Sequence, residues 1–262
     1  MTGATSPRTV AIIPARYASE RLPGKPLASI GGKPMIVHVM ERAAQATLVH
    51  DVLAATDDDR IAVAVRSHGG KAVMTPADIR SGSDRIAFVA RSLDDAAIIV
   101  NVQGDEPLIP PAMIDQAIRP LLQDETVEAG TLVRRITTAG ELHNASLPKV
   151  VLAGNGDCLY FSRSPIPFGR DISDEELLNR FPVYRHIGLY VFRRDFLLTY
   201  ATMGPTPLEQ AEKLEQLRIL EHGHRIHAEV TDYDSTSVDT PQDLERVRRI
   251  VEQQSSPAAR ER

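Results

Sequence analysis

Three cations stand close together in the stretch Pro14-Ala15-Arg16-Tyr17-Ala18-Ser19-Glu20-Arg21-Leu22-Pro23-Gly24-Lys25-Pro26, directly after the apolar run Val10–Ile13. Guanidinium groups grip phosphate oxygens in pairs and an ammonium supplies a compact point charge. Arg16, Arg21 and Lys25 therefore suit a polyphosphate such as a nucleoside triphosphate. Pro14, Pro23 and Pro26, together with Gly24, exclude a regular helix and fix the path of the loop. Loop cations are most often a solvated face; the position at a strand end and the prolines favour the ligand-holding reading. The loop is not a P-loop. Gly32-Lys33 ends in the right dipeptide, but Leu27 stands where the first glycine belongs and Pro34 where the hydroxyl belongs. No G-x-G-x-x-G fingerprint follows a strand, which removes the main support for a dinucleotide oxidoreductase.

Acids that could complete such a site lie far along the chain. In Val102-Gln103-Gly104-Asp105-Glu106-Pro107, Asp105 falls just past an apolar strand, a place for a hard oxygen donor to magnesium. Magnesium takes one or two carboxylates besides substrate phosphates, so a second acid is expected. Asp239, in Ser237-Val238-Asp239-Thr240-Pro241, is the candidate. Asp, Thr and Pro are also ordinary helix-start residues, and a cap at Asp239 or Thr240 is compatible with metal binding. Arg80-Ser81-Gly82-Ser83-Asp84-Arg85 opens a helix whose backbone amides can accept an anion or the polar edge of a base; its plain alternative is an N-cap flanked by solvated arginines. Alternation along Tyr184–Tyr190 places His186, Gly188 and Tyr190 on one strand face, which suggests a sugar or acid pocket; the common alternative is a satisfied core histidine beside a tyrosine. The charges of Leu208–Arg218 read as the surface of an amphipathic helix. His222, His224 and His227 lack an ordered ligand spacing and a carboxylate or cysteine partner, so no zinc site is expected. Cys158 reads as a small buried hydrophobe rather than a nucleophile.

The elements that must position these groups alternate from the start. Strands are expected at Val10–Ile13, Val52–Thr56, Lys71–Met74 and Ala97–Val102. Helices are expected near 34–46, 58–68, 83–93 and 110–122. The order βαβα implies an α/β fold with a mostly parallel central sheet flanked by helices, in which ligands sit beyond the carboxyl ends of the strands. There the loop Pro14–Pro26 and the loop after Val102 converge. After residues 127–136 the pattern turns β-rich: a hairpin of 149–153 and 158–161 about Asn155-Gly156, a polar and mobile stretch 169–180, a strand 186–192, a helix 208–221, a strand 225–230, a helix 241–252 and a frayed tail 253–262. With 262 residues, 42% of them hydrophobic, the chain reads as a single composite domain. Its nucleotide-binding core covers about 9–130 plus 225–252, and 131–224 form the other region. A net charge of −5 argues against nucleic acid or a membrane surface as partner. One cysteine, no signal core and no run of 18 apolar residues point to a soluble cytoplasmic protein.

Taken in order, these segments resemble the 3-deoxy-manno-octulosonate (Kdo) cytidylyltransferase family. The resemblance runs over nearly the whole chain: IIPARYASERLPGKPL, GGKPMIVHV at 31–39, SGSDR at 81–85, VNVQGDEPLIP at 100–110, LYFSRSPIPF at 159–168, RHIGLY at 185–190, PLEQAEKLEQLR at 207–218 and VDTPQDLERVR at 238–248. Residues 141–148 and 169–180 fit the family pattern least. The resemblance implies a Rossmann-like nucleotidyltransferase fold with a β-rich dimerisation and substrate subdomain, and a homodimer. It implies transfer from CTP to Kdo, giving CMP-Kdo and pyrophosphate for lipopolysaccharide assembly. By motif, Arg16, Lys25 and Arg21 would hold the triphosphate, and Ala15, Ser81, Gly82 and Gln103 would border the nucleotide. Asp105 and Asp239 would be the magnesium ligands. Gln103, Arg163, His186, Tyr190, Glu215 and Gln216 would line the sugar-acid pocket. The nearest alternative substrates are the 8-amino-3,8-dideoxy analogue and a sialic acid; a noncatalytic nucleotide binder would not need the second acid.

Overall fold

The computed structural model describes residues 7–18, 22–79 and 81–255. They group into two compact units, residues up to Asp115 with those from Asp234 onward, and the continuous segment Gln116–Tyr233.

The first unit opens with β1 (Thr9–Ala15), a 3-10 turn at Lys25–Leu27, the two-residue strands β2 (Ser29–Ile30) and β3 (Lys33–Pro34), and α1 (Met35–Ala44). It continues with β4 (Asp51–Thr56), α2 (Asp59–Ser67), β5 (Lys71–Met74), α3 (Gly82–Ala90), β6 (Ile98–Asn101) and α4 (Pro111–Gln123), within which the division between units falls. β1 pairs in parallel with β4 on one side and β6 on the other, and β4 with β5. Both central strands are apolar on successive residues because both faces are covered: Val10–Ile13 and Ile98–Val100 are fully buried. α1 turns Met35, Ile36, Val39, Met40 and Ala43 inward, the stripe expected of a helix on a sheet. The hairpin β2–β3 was not legible as strand; Gly31 and Gly32, at φ of 54° and 86°, supply the two positive dihedrals its tight turn needs.

The second unit holds β7 (Ala129–Arg135), α5 (Ala139–His143), β8 (Lys149–Leu152), β9 (Cys158–Ser162), α6 (Asp174–Arg180), β10 (Tyr184–Arg193), α7 (Arg194–Tyr200), α8 (Pro207–Glu212), α9 (Leu217–Glu221) and β11 (His227–Val230). β10 runs antiparallel to β7 and β8, β8 antiparallel to β9, and β11 parallel to β7. Two expectations are corrected. The stretch 169–180 is not simply polar loop: Ser173 caps α6 through the Glu176 amide at 3.2 Å, and Leu177 and Leu178 pack with Ile136, Leu142 and Val183. The single helix 208–221 is two, because Lys213 adopts the left-handed conformation at φ 53° and turns the chain between α8 and α9.

The chain then returns to the first unit through α10 (Pro241–Ser255). Thr240 and Asp243 cap it reciprocally, the Asp243 amide donating to Thr240 Oγ1 at 3.2 Å and the Thr240 amide to Asp243 Oδ2 at 2.9 Å. Residues 253–255, expected to fray, extend the helix; the rest of that tail lies outside the described residues. No helix among the described residues is long and apolar enough to cross a membrane.

Candidate functional site

The first unit gathers three charged side chains from distant sequence at the carboxyl ends of β1 and β6. Lys25 Nζ donates to Asp105 Oδ2 at 2.7 Å and to Asp239 Oδ1 at 3.2 Å. Each of the three owes its place to a small apolar cluster of Ile30, Met35, Val238, Leu244 and Val247, against which Leu22, Ala28 and Leu108 also pack. Leu22 and Ala28 bracket Lys25, Leu108 follows Asp105 by three residues, and Val238 precedes Asp239. The Val238 amide also donates to the Asp105 carbonyl at 2.9 Å, which stitches the two acidic loops together.

Gly104 sets how close the Asp105 loop comes to β1. A Cβ on Gly104 would stand 2.8 Å from the Pro14 carbonyl oxygen, so no larger residue fits without moving backbone. On the other side, Gly24 at φ 68° carries the chain into the Lys25 turn, its amide donating to the Tyr17 carbonyl at 3.1 Å. Thr240 takes the capping of α10, and the Asp239 carboxylate faces Lys25.

Arg16 follows β1 and lies 3.7 Å from Asp57 Oδ2. Asp57 is the neighbour of Arg16 that motif reasoning missed. It also accepts from Arg85 Nη2 at 2.8 Å, and Arg85, with no solvent exposure, further contacts Thr75 and the Ile79 carbonyl. The signal was present: Asp57 follows β4, the neighbour of β1, so it had to emerge at the same sheet end. Ala15 is buried as the last residue of β1, opposite Thr56. Ser81 is the N-cap of α3, accepting from the Asp84 amide at 2.9 Å, and Gly82 begins that helix facing the Pro14 ring. Gln103 sits half-buried in the turn closed by the Glu106 amide on its carbonyl at 3.3 Å. Arg21 and Arg80 lie outside the described residues.

The second unit holds the remaining candidates. His186 Nε2 lies 2.9 Å from Thr131 Oγ1, and its ring packs edge-on to Phe161 and 5.1 Å from the ring of Tyr190. Four residues of regular strand span roughly 13 Å. The bulge between Ile187 and Tyr190 draws the two rings together, which simple alternation could not foresee. Burial pushes the His186 imidazole down to about 3 and holds the Tyr190 phenol well above its usual range. Both are thus neutral hydrogen-bonding groups. Gln216 is buried, and its Nε2 has no hydrogen-bond partner among the described residues. Glu215 is exposed, its carbonyl accepting from the Tyr200 hydroxyl at 3.1 Å. Arg163 is committed to backbone: Nε donates to the Glu212 carbonyl at 2.7 Å, Nη1 to that of Ala145 at 2.9 Å and Nη2 to that of Lys213 at 3.2 Å. Its cation braces the loop between α8 and α9. Cys158 is buried, and desolvation with the nearby Asp157 charge raises its thiol to about 12, which suits a packing role. No cluster of three or more His, Cys, Asp and Glu able to hold a metal exists among the described residues. His224 pairs with Glu128 and His227 with Asp157.

Comparison with known proteins agrees on one family. The family model described as cytidylyltransferase matches residues 10–226. A 3-deoxy-manno-octulosonate cytidylyltransferase of Geobacter metallireducens is 56% identical over 245 residues, covering 92% of this chain and 96% of that protein. One of Geotalea uraniireducens is 57% identical with similar coverage. The solved structure of a CMP:2-keto-3-deoxy-manno-octonic acid synthetase complexed with CTP superposes with a TM-score of 0.88 at 43% identity, over 94% of this chain and 99% of that one. A cytidylyltransferase from Leptospira borgpetersenii, at 17% identity and a TM-score of 0.63, shares the fold.

Proposed function

Since the chain belongs to the 3-deoxy-manno-octulosonate cytidylyltransferase family, we propose that it couples CTP to Kdo, releasing pyrophosphate and giving CMP-Kdo. The observation that carries the mechanism is the trio of Lys25, Asp105 and Asp239 at the sheet's carboxyl ends. In this reading the anomeric hydroxyl of the sugar acid attacks the α-phosphorus. The new O–P bond forms as the bond to pyrophosphate breaks, and the hydroxyl proton leaves to solvent. Little covalent work falls to the protein, which positions the reactants and neutralises charge.

Arg16 and Lys25, with Arg21, would bind the triphosphate; Ala15, Ser81, Gly82 and Gln103 would border the nucleoside. Asp57 would hold the Arg16 guanidinium at the pocket wall. Asp105 and Asp239 fit a magnesium ion in donor type, both being hard oxygens, and in placement, since both already address one cation. When bound, magnesium would offset the repulsion between two anions and favour the deprotonated attacking oxygen. In the second unit Gln216 Nε2, without a partner among the described residues, the neutral His186 ring, the Tyr190 phenol and Glu215 would read the sugar's hydroxyls. Arg163 would act by holding the α8–α9 loop. Homodimerisation would use the second unit, where Phe168 is 87% and Leu159 59% exposed. We place the reaction in the cytoplasm, where CTP is available.

The test is magnesium-dependent pyrophosphate release from CTP with Kdo, the 8-amino analogue and a sialic acid in parallel, and with UTP and ATP as nucleotide controls. Release confined to CTP and Kdo is the expected outcome. Preference for another acid would change the substrate, and no release with any acid would refute the assignment.

A further inference from the structure

We propose that Lys25 is a tethered cation that keeps the divalent-metal site closed until a triphosphate draws it away, so that metal enters only with the nucleotide. The inference deepens the magnesium reading of Asp105 and Asp239 and rests on it. Its basis is that one ammonium addresses both acids, at 2.7 and 3.2 Å, in a half-buried setting where Lys25 is 16% exposed and the carboxylates 27% and 36%.

Two carboxylates held this close repel each other unless a cation sits between them. A magnesium ion coordinates carboxylate oxygen at roughly 2.0–2.1 Å. An ammonium on the same two oxygens would then stand within a few ångströms of a dication, a like-charge contact with little water to screen it. Lys25 and the metal are therefore alternatives at this place. Swinging the lysine out costs its two ion pairs, and nothing else in the trio offers it a comparable partner. A triphosphate does: its oxygens are the group the loop is expected to hold, and a flexible four-carbon stem can reach them without moving the backbone. Each ligand then lowers the cost of binding the other, and by linkage the coupling is reciprocal. The arrangement also guards the empty protein against stray divalent ions.

Manganese(II) serves as the reporter, its free concentration followed by electron paramagnetic resonance in the absence of nucleotide. Wild-type protein should bind it weakly. Lys25→Met or Lys25→Gln, whichever is folded by circular dichroism, should bind it at least about tenfold more tightly, about 1.4 kcal/mol. Lys25→Arg, which keeps the charge, should remain weak, and the gain should vanish in Lys25→Met/Asp105→Asn. A neutral variant no tighter than wild type, a Lys25→Arg as tight as Lys25→Met, or a gain that survives Asp105→Asn would each overturn the proposal. A separate arm measures the water-proton relaxation enhancement of manganese–CTP on wild-type protein. If Asp105→Asn left that enhancement intact, the metal assignment itself would fail, whatever Lys25 does.

Discussion

Asp105 and Asp239 both face Lys25, so replacing either should remove function without removing the fold. Asp105→Ala and Asp239→Ala are expected to lower kcat/KM on the order of 10³-fold, as losses of a preorganised electrostatic group do. Pyrophosphate release with circular dichroism as the folding control measures this; near-normal turnover by either variant would sink the assignment. His186 gives a pH prediction. Its folded pKa of about 3 lies below the ordinary 6.5, so between those values the unfolded chain binds the extra proton. The stability it contributes is complete above about pH 6.5 and is lost as pH falls toward 3, by up to roughly 1.4 kcal/mol per unit. Urea midpoints of wild type and His186→Gln across that window should therefore converge as the medium is acidified; parallel curves would refute the neutral buried ring. Cys158, raised to about 12 and buried, should react with a thiol reagent only on unfolding.

Two short connections carry much of the site's geometry. Gly104→Ala would drive a Cβ against the Pro14 carbonyl oxygen and should cost about 1–3 kcal/mol of stability by overpacking. Because the movement shifts Asp105, turnover should fall further than stability accounts for, and equal turnover at saturating magnesium would contradict this. Thr240→Ala removes half of the α10 capping pair and should cost about 1 kcal/mol in urea unfolding. What the sequence announced at this scale was whatever a local pattern can carry: β1 and β6 as unbroken apolar runs, α1 as a stripe, the hairpin at Asn155-Gly156. Hidden were features with no local mark. Lys213 in a left-handed conformation looks like any helix lysine. The β10 bulge leaves composition unchanged, and α6 depends on leucines whose partners, Ile136, Leu142 and Val183, lie outside that helix. Of the candidate site, the meeting of Asp105 with Asp239 was legible, because magnesium chemistry calls for a second acid. Asp57 and the backbone-bound state of Arg163 were not, since each is defined by what it touches.

For the whole molecule, the exposed Phe168 and Leu159 of the second unit are the expected dimer contact. Phe168→Asp should shift the mass found by light scattering from dimer to monomer, while a wild-type protein already monomeric at micromolar concentration would remove that proposal. A last consequence follows from where the parts of the first unit lie along the chain. Lys25 meets residues 80 and 214 positions further on, whereas the second unit is one uninterrupted segment. On the ribosome the inner segment is thus fully synthesised while the outer one still waits for Asp239 and α10. Translation order makes the first unit the last to be completed, and a stalled chain ending before residue 234 would carry Lys25 and Asp105 without the acid that completes their cluster.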